Sequence, residues 1–337
     1  MLKKTFWFFP CFFIALAILS FTTIPPKAVK TIIIDPGHGG KDPGAKGLFS
    51  TEAQISLDVS MKLGPRIEKE IPGVKILFTR ETDIIPGNSR DKNEGLRWRA
   101  NFANQSKADL FISVHCNAAG RAPGGWYEKR IVDYDVKTVT RKVKGKSKKV
   151  QVKTPVYETF YVPNLAKGTE TFIWTAKENS HKGQMVGDHA EFHSEDDSTI
   201  VMPENDPVIN ALKLVYTKKY FVNSLRLADL VQQEFTASGR INRGVKQRND
   251  VGIWVLHATG MPSVLVEIGF ISNKEEEEYM NSQAGQEEIV SDITRAVKNY
   301  IASLDANQKK DNNSKNDNTD AATAFLFGDR KKKLLNS

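Results

Sequence analysis

Two histidines, His38 and His115, each lie just beyond a short apolar run, residues 31–34 and residues 110–114. Runs of this length, rich in β-branched residues, are typical of buried strands in an α/β sheet. Because open α/β sheets bind ligands at the carboxyl ends of their strands, both imidazoles are predicted to lie at one sheet edge. Glycines on both sides of His38 leave room for a substrate or a metal ion to approach its ring. Taken alone, a histidine in this position can also be an incidental residue of a strand-to-helix turn.

Two glutamates can join these histidines. Glu52 stands in the predicted first turn of a helix, where compensation of the helix dipole is the alternative role for its charge. Glu267 ends the most apolar late strand, and a carboxylate in such a place is costly unless it is paired or used. Two imidazoles and one carboxylate suit Zn²⁺ with a fourth position left open, as in hydrolytic zinc sites. His38, Glu52 and His115 are therefore the candidate metal ligands.

The elements that must position these residues alternate between strand and helix patterns, which favours an α/β fold. Strands are predicted at residues 31–34, 74–80, 110–114, 168–174, 253–256 and 262–266, and helices at about 52–67, 96–105, 223–235 and 286–304. Cys116 follows His115 on the opposite face of its strand and is predicted to be a small buried residue, not a ligand.

Composition is that of a soluble globular protein: 337 residues, of which 26% are charged and 40% hydrophobic. Such a chain can bury one large core or two modest ones. The formal net charge of +8 is a mild excess that can attract an anionic polymer. No nucleic-acid-binding motif accompanies it, so we expect no nucleic acid partner.

Residues 1–26 are predicted to form a signal peptide or an N-terminal anchor. Lys3 and Lys4 precede an apolar run that ends near Phe21, which is the layout of a secretory signal. No clear cleavage site follows, so an uncleaved anchor stays open, and a membrane contact is expected only through this segment. Once the signal and its Cys11 are removed, only Cys116 remains, and no disulfide is predicted. We therefore expect an exported protein.

Two long stretches interrupt the regular pattern. The first, at about 120–167, contains the alternating basic segment 137–153, predicted to be a hairpin with a solvated basic face; a polyanion contact is the alternative. The second, at 175–220, holds three histidines and several acids. It lacks the H-E-x-x-H order of a metal helix, which favours a surface insertion. Residues 305–337 are rich in Asn, Asp and Lys and are predicted to be a disordered tail.

Six separated motifs carry a resemblance to a known family. They are DPGHGGKDPGA, the Thr51-Glu52 helix start, ADLFISVHCNA, GTETF, NRGVK and PSVLVEIGFISN. Together and in this order they resemble the zinc-dependent N-acetylmuramoyl-L-alanine amidases of the cell-wall family with two histidines and two glutamates in the site. The resemblance covers residues 29–304 apart from the two insertions. It departs at Cys116, where alanine is usual.

The resemblance implies a fold and a reaction. The fold is one α/β domain with a twisted, mostly parallel sheet, helices on both faces, and the metal at the carboxyl edge of the strands. The implied zinc ligands are His38, Glu52 and His115, and the implied catalytic residue is Glu267. The reaction is hydrolysis of the amide between N-acetylmuramic acid and L-alanine of the peptidoglycan stem peptide, in cell-wall remodelling or cell separation. The implied location is the periplasm or cell envelope.

The resemblance also bears on regulation and on two arginines. Similar envelope amidases carry an insertion near 175–220 that covers the zinc groove, so an autoinhibitory lid released by an activator protein is expected there. A surface excursion without a role is the alternative. Arg80 and Arg99 match family positions and are expected to form structural ion pairs.

Two other functions stay open: a non-catalytic peptidoglycan-binding protein and a zinc peptidase of related fold. The four intact site residues argue against the first. Absence of a second metal set with bridging carboxylates argues against a two-metal aminopeptidase.

Overall fold

The structure is a computed structural model that describes residues 28–175, 182, 184, 207–248 and 252–334, with side chains in the last range as far as Gln308. The predicted signal or anchor at 1–26 and most of the insertion at 175–220, with its three histidines, lie outside the described residues. Within the described part, no helix is both long enough and apolar enough to cross a membrane.

Six strands form one sheet. They are β1 (Thr31–Pro36), β2 (Lys75–Phe78), β3 (Leu110–Asn117), β6 (Thr169–Phe172), β7 (Asn242–Lys246) and β8 (Ser263–Phe270). Their order is β2-β1-β3-β8-β6-β7, and every neighbouring pair is parallel except the antiparallel pair of β8 and β6. The predicted mostly parallel sheet is confirmed.

Helices cover both faces of this sheet. They are α1 (Glu52–Glu70), α2 (Lys92–Gln105), α3 (Pro207–Ala237), α4 (Trp254–His257), α5 (Lys274–Asn281) and α6 (Gln283–Leu334), with a 3₁₀ turn at Pro86–Asn88. Strand β1 shows why two layers form, since its side chains alternate between faces. Ile32 and Ile34 join a core that includes residues of α1, α3 and α6, whereas Ile33 joins a second core with residues of α2 and α4. The α/β architecture is confirmed.

The chain forms a separate two-stranded sheet in the segment that connects β3 to β6. Strands β4 (Gly125–Val143) and β5 (Lys146–Pro163) pair antiparallel from Gly125 opposite Pro163 to Val143 opposite Lys146. The hairpin predicted at 137–153 is therefore present, and it is only the outer part of a much longer one.

Three sequence-based predictions differ from the structure. The helix predicted at 223–235 begins at Pro207, so its first turns occupy part of the predicted insertion at 175–220. Residues 253–256 are not a strand: α4 occupies Trp254–His257, because an apolar run of four residues carries no period that separates a strand from a short buried helix. The last helix does not end near Leu304 but continues to Leu334, through the segment predicted to be disordered. No proline follows Leu304, and a helix that is already nucleated can extend through polar residues. The domain boundaries at 29 and 304 stay predictions.

Candidate metal centre

His38, Glu52 and His115 meet at the carboxyl edge of β1 and β3. Glu52 stands between the two imidazoles: its Oε1 lies 2.7 Å from Nδ1 of His115, and its Oε2 lies 3.1 Å from Nε2 of His38. One ligand atom from each of the three residues lies within 4.8 Å of the others. The structure thus brings together the three residues that the sequence singled out as ligands.

Glu52 is positioned by the start of α1 and by the loop before it. The N-cap is Thr51, whose side chain accepts from the Gln54 backbone N–H, and Glu52 itself accepts from the Ala45 N–H at 2.8 Å. The buried carboxylate of Glu277 in α5 accepts the backbone N–H groups of the preceding loop, those of Leu48, Phe49 and Ser50, at 2.7–3.0 Å. Sequence reasoning missed Glu277, since only the fold places α5 against this loop.

His38 adopts a backbone conformation that a non-glycine residue rarely takes, with φ of 58°. Arg99 stabilises it by donating to the His38 carbonyl at 2.6 Å while forming a buried ion pair with Asp35. Arg80 donates to the Gly37 carbonyl at 2.7 Å and to other main-chain carbonyls. The predicted structural ion pair is present for Arg99, whereas the described hydrogen bonds of Arg80 go to main-chain carbonyls.

Glycines allow the imidazoles and the carboxylate to approach the loop backbone. A Cβ on Gly37 would lie 2.5 Å from Cε1 of His115, and a Cβ on Gly44 would lie 2.5 Å from Oε2 of Glu52. Real Cβ atoms do not approach other atoms so closely, so the cluster needs glycine at both positions.

Asp42 is a site residue that sequence reasoning missed. Its Oδ2 lies 2.9 Å from Nδ1 of His38, the ring nitrogen that points away from Glu52. Histidines that bind metals commonly donate their second ring N–H to a carboxylate, which fixes the tautomer and the ring orientation. The two residues are four apart in a loop, where sequence spacing does not predict contact.

The protonation states of Glu52 and His115 suit a metal ion. Burial acts to raise the pKa of Glu52, but hydrogen bonds from His115 and His38 outweigh it and hold that pKa well below its usual range. Burial lowers the pKa of His115, which favours the neutral imidazole that a metal requires. For His38, burial acts to lower the pKa, but the hydrogen bonds with Glu52 and Asp42 outweigh it and raise that pKa. Cys116 is buried, as predicted, and burial raises the pKa of its thiol well above the ordinary value.

Glu267 lies in β8 directly opposite His115 in the register of the two strands. Its carboxylate is buried, and among the described residues its Oε2 has no hydrogen-bond partner. Burial first, and then the negative charge of Glu52, raise the pKa of Glu267 to about 8. With the three cluster residues it lines a cavity of about 490 Å³. An unpartnered buried carboxylate oxygen beside a set of ligands fits a site built for a bound cation and substrate.

Glu170 in β6 stands beside Glu267 in the sheet and was not singled out from the sequence. It accepts from Arg243 at 2.6 Å, Lys246 at 2.6 Å and Asn117 at 2.8 Å. Burial acts to raise the pKa of Glu170, and the bonds from the two cations outweigh it and lower that pKa. Two nearby positive charges are thereby paired with Glu170. No described cation forms an ion pair with Glu267, although the charge of Arg248 acts to lower its pKa.

Comparison with known proteins bears on this arrangement. The sequence profile of the family described as N-acetylmuramoyl-L-alanine amidase (Amidase_3) matches residues 32–299. The N-acetylmuramoyl-L-alanine amidase AmiC of Escherichia coli O6:H1 is 28% identical over 278 residues, which cover 80% of this chain and 52% of that protein. The germination-specific N-acetylmuramoyl-L-alanine amidase of Bacillus subtilis is 40% identical over 99 residues, 28% of this chain and 41% of that protein. The chain spans about half the length of the curated relatives it matches.

Two solved structures share the fold. An N-acetylmuramoyl-L-alanine amidase from Clostridium difficile 630 is 20% identical, with a TM-score of 0.50 over 82% of this chain and 98% of that one. The CwlD amidase from Clostridioides difficile, solved in complex with the GerS lipoprotein, is 24% identical, with a TM-score of 0.50 over 81% and 99%. At these identities the likeness shows the fold.

Proposed function

The chain belongs to the N-acetylmuramoyl-L-alanine amidase family, and from this membership we propose that it is a zinc amidohydrolase of peptidoglycan. The bond it cleaves is the amide between the lactyl group of N-acetylmuramic acid and L-alanine of the stem peptide. The observation that carries the proposal is the convergence of Glu267 with the His38–Glu52–His115 cluster on one cavity.

Zn²⁺ is the proposed cofactor because two imidazoles and one carboxylate form the ligand set of hydrolytic zinc sites. His38, Glu52 and His115 would hold the ion, with Asp42 fixing the orientation of the His38 ring. When bound, the ion supplies Lewis-acid chemistry: it polarises a carbonyl and lowers the pKa of water.

Glu267 is the proposed general base. The positive charge of a bound ion would favour the ionised form of Glu267 against burial and the charge of Glu52. The carboxylate then takes one proton from the attacking water as the new C–O bond forms. It then delivers that proton to the nitrogen of L-alanine as the C–N bond breaks, so the products are a lactyl carboxyl group and a free amine. Glu170, the carboxylate beside Glu267 in the sheet, is held by Arg243 and Lys246 and is not free to exchange protons in this way.

The proposed place of action is outside the cytoplasmic membrane, in the periplasm or cell envelope, where peptidoglycan lies. The charged and apolar pattern of residues 1–26 supports export. Cell-wall remodelling or cell separation is the proposed role. Peptidoglycan is the proposed macromolecular substrate, no nucleic acid is expected, and a membrane contact is expected only through the N-terminal segment if it is uncleaved.

A second proposal concerns the insertion at 175–220: it is an autoinhibitory lid that a partner protein displaces. Lys182, one of its described residues, is buried and donates to the Leu256 carbonyl of α4 at 2.7 Å. Trp254 at the start of the same helix lines the catalytic cavity, so the insertion is attached to a wall of the site. The lipoprotein bound to the CwlD amidase from Clostridioides difficile is a precedent for a partner.

Removal and return of the metal tests the zinc amidohydrolase proposal. The purified protein is stripped with a chelator, its metal content is measured, and digestion of purified peptidoglycan is followed before and after Zn²⁺ is added back. Hydrolysis should disappear with the metal and return with Zn²⁺. Full hydrolysis by the metal-free protein would contradict the proposal.

A further inference from the structure

The hairpin formed by β4 and β5, residues 125–163, has no role in the chemistry above and is called the arm from here on. Its strands pair with each other over their whole length and form a sheet of their own. Neither strand packs substantially on any other described helix or strand. At about 3.3 Å per residue, the 18 residues of β5 span about 60 Å. Because an isolated two-stranded hairpin is only marginally stable in water, contact with a partner would stabilise the arm.

The base of the arm lies at the catalytic edge of the sheet. Its first strand follows closely on Asn117 and Ala118, which line the cavity. The Gly124 N–H donates to the Ser272 carbonyl at 2.9 Å, and the Asn273 side chain donates to the Asn164 carbonyl at 3.0 Å. Ser272 and Asn273 come directly after β8, the strand of Glu267. A ligand held at the base of the arm is therefore next to the site, and a ligand held at its outer end is tethered within about 60 Å of it.

One face of the arm is lined with exposed tyrosines. The register sets Tyr127 opposite Tyr161, with ring centroids 5.3 Å apart, and Ile131 opposite Tyr157. A bulge after Ile131 keeps Tyr134 on this same face. The four tyrosines are 49–72% exposed. Aromatic faces carry a partial negative charge and attract the C–H groups of flat ligands, and sugar rings present such C–H faces.

The outer end of the arm is strongly basic. Eight basic and no acidic residues lie between 137 and 153. This segment therefore carries a charge equal to the formal net charge of the whole chain, +8, and the remaining residues have a net charge of zero. All eight are exposed: Lys137, Arg141, Lys142, Lys144, Lys146, Lys148, Lys149 and Lys153. Of these, only Lys137 forms an ion pair with a described residue, Asp135 at 3.1 Å. A surface of this kind is complementary to a polyanion.

From these features we propose that the arm is a second binding surface for peptidoglycan, in which the basic end contacts the free carboxylates of stem peptides and the tyrosine face packs on sugar rings. The inference rests on the proposed function for the identity of the polymer. By tethering an insoluble network within about 60 Å of the cavity, the arm raises the local concentration of scissile bonds.

The distribution of charged and aromatic residues favours peptidoglycan as the ligand of the arm over a membrane and over a second copy of the arm. Basic residues occupy both faces of the outer end, with Arg141 and Lys148 on one and Lys142 and Lys149 on the other. Such a pattern suits a mesh of acidic groups around the arm, whereas a flat membrane would meet one face. The turn is Lys144-Gly145, with no apolar residue to enter a bilayer. Pairing of two copies through the outer ends of their arms would bring like positive charges together.

The test compares two sets of four substitutions in the full chain. The arm set is Arg141→Gln, Lys142→Gln, Lys148→Gln and Lys149→Gln. The matched control set removes the same charge from exposed lysines elsewhere: Lys69→Gln, Lys75→Gln, Lys218→Gln and Lys298→Gln. A third variant, Tyr127→Thr, Tyr134→Thr and Tyr157→Thr, removes three rings and keeps residues that favour strands.

Binding is measured by co-sedimentation with purified insoluble peptidoglycan at several salt concentrations, with Glu267→Gln added to every protein to prevent digestion. The arm set should bind about tenfold more weakly at low salt and show a shallower salt dependence, and the tyrosine variant should also bind more weakly. The control set should bind as the parent does. Unchanged binding by the arm set, or an equal loss in the control set, would overturn the proposal.

Two further measurements separate the arm from the catalytic proposal and from other partners. With Glu267 intact, the arm set should hydrolyse a soluble muramoyl-peptide fragment within twofold of the parent rate. If no variant cleaves any substrate while binding still depends on the arm, the proposed function fails and the arm proposal stands. Arm-dependent binding to anionic phospholipid vesicles without binding to peptidoglycan, or an arm-dependent dimer in sedimentation, would overturn the arm proposal.

Discussion

Glu267 of β8 lies directly opposite His115 of β3, so the proposed general base and a proposed zinc ligand are neighbours across two parallel strands. The two residues are far apart in sequence and are brought together because each lies near the carboxyl end of a buried strand, at the same sheet edge. Their environments differ: His115 contacts Glu52, whereas Oε2 of Glu267 has no described partner. This difference is the basis for assigning one to the metal and the other to proton transfer.

Replacement of Glu267 by Gln separates chemistry from metal binding. The amide keeps the size of the side chain but cannot take a proton from water, so turnover of peptidoglycan should fall by about 10²-fold or more while bound zinc is unchanged. Glu278→Gln, on an exposed position of α5, is the matched control and should change neither. Loss of zinc from the Glu267 variant would make it a ligand, and undiminished turnover would remove it from the mechanism.

Alanine at His38, Glu52 or His115 should lower bound zinc and hydrolysis together, because three protein ligands are the set that catalytic zinc sites use. Asp42→Asn should have a milder effect, about 10- to 100-fold in metal affinity, since it acts only through His38. Metal content by atomic emission and hydrolysis rate are measured on the same samples. A ligand variant that kept full zinc and full hydrolysis would show that its assignment is wrong.

The four central residues were accessible from sequence because each belongs to a local pattern: a strand end or a helix start. Asp42, Glu170 and Glu277 were not, because their roles depend on contacts that only tertiary packing creates. The 253–256 segment was mistaken for a strand for a related reason. Its four apolar residues are compatible with either element, and the fold decided in favour of a short helix.

Lys182 should make stability depend on pH. Burial lowers the pKa of its ammonium group well below 10.5, and no described carboxylate pairs with it. Between the lowered folded pKa and 10.5 the unfolded chain binds one more proton than the folded protein, so the free energy of unfolding should rise with pH in that range. Lys182→Met should remove this rise, and the exposed Lys69→Met should keep it, as measured by denaturant unfolding from pH 7 to 10.5. An equal slope in both variants would show that Lys182 is not buried as described.

Removal of the insertion tests the lid proposal. Residues 183–206 are replaced by a short Gly-Ser linker, which keeps Lys182 and the whole of α3. If the insertion covers the cavity, peptidoglycan hydrolysis by the purified protein should rise several-fold, because the open state no longer competes with a closed one. Thermal unfolding and zinc content check that the domain is intact. An unchanged or lower rate in a well-folded deletion would end the lid proposal.

The central claim is the identity of the scissile bond, and analysis of digested peptidoglycan tests it most directly. Purified peptidoglycan is incubated with the zinc-loaded protein and with Glu267→Gln, and the released ends are identified by mass spectrometry and amino-group labelling. The account predicts new free amino groups on L-alanine and stem peptides separated from intact glycan strands, with the wild-type protein only. Cleavage within the stem peptide or the glycan, or binding without any cleavage, would contradict it.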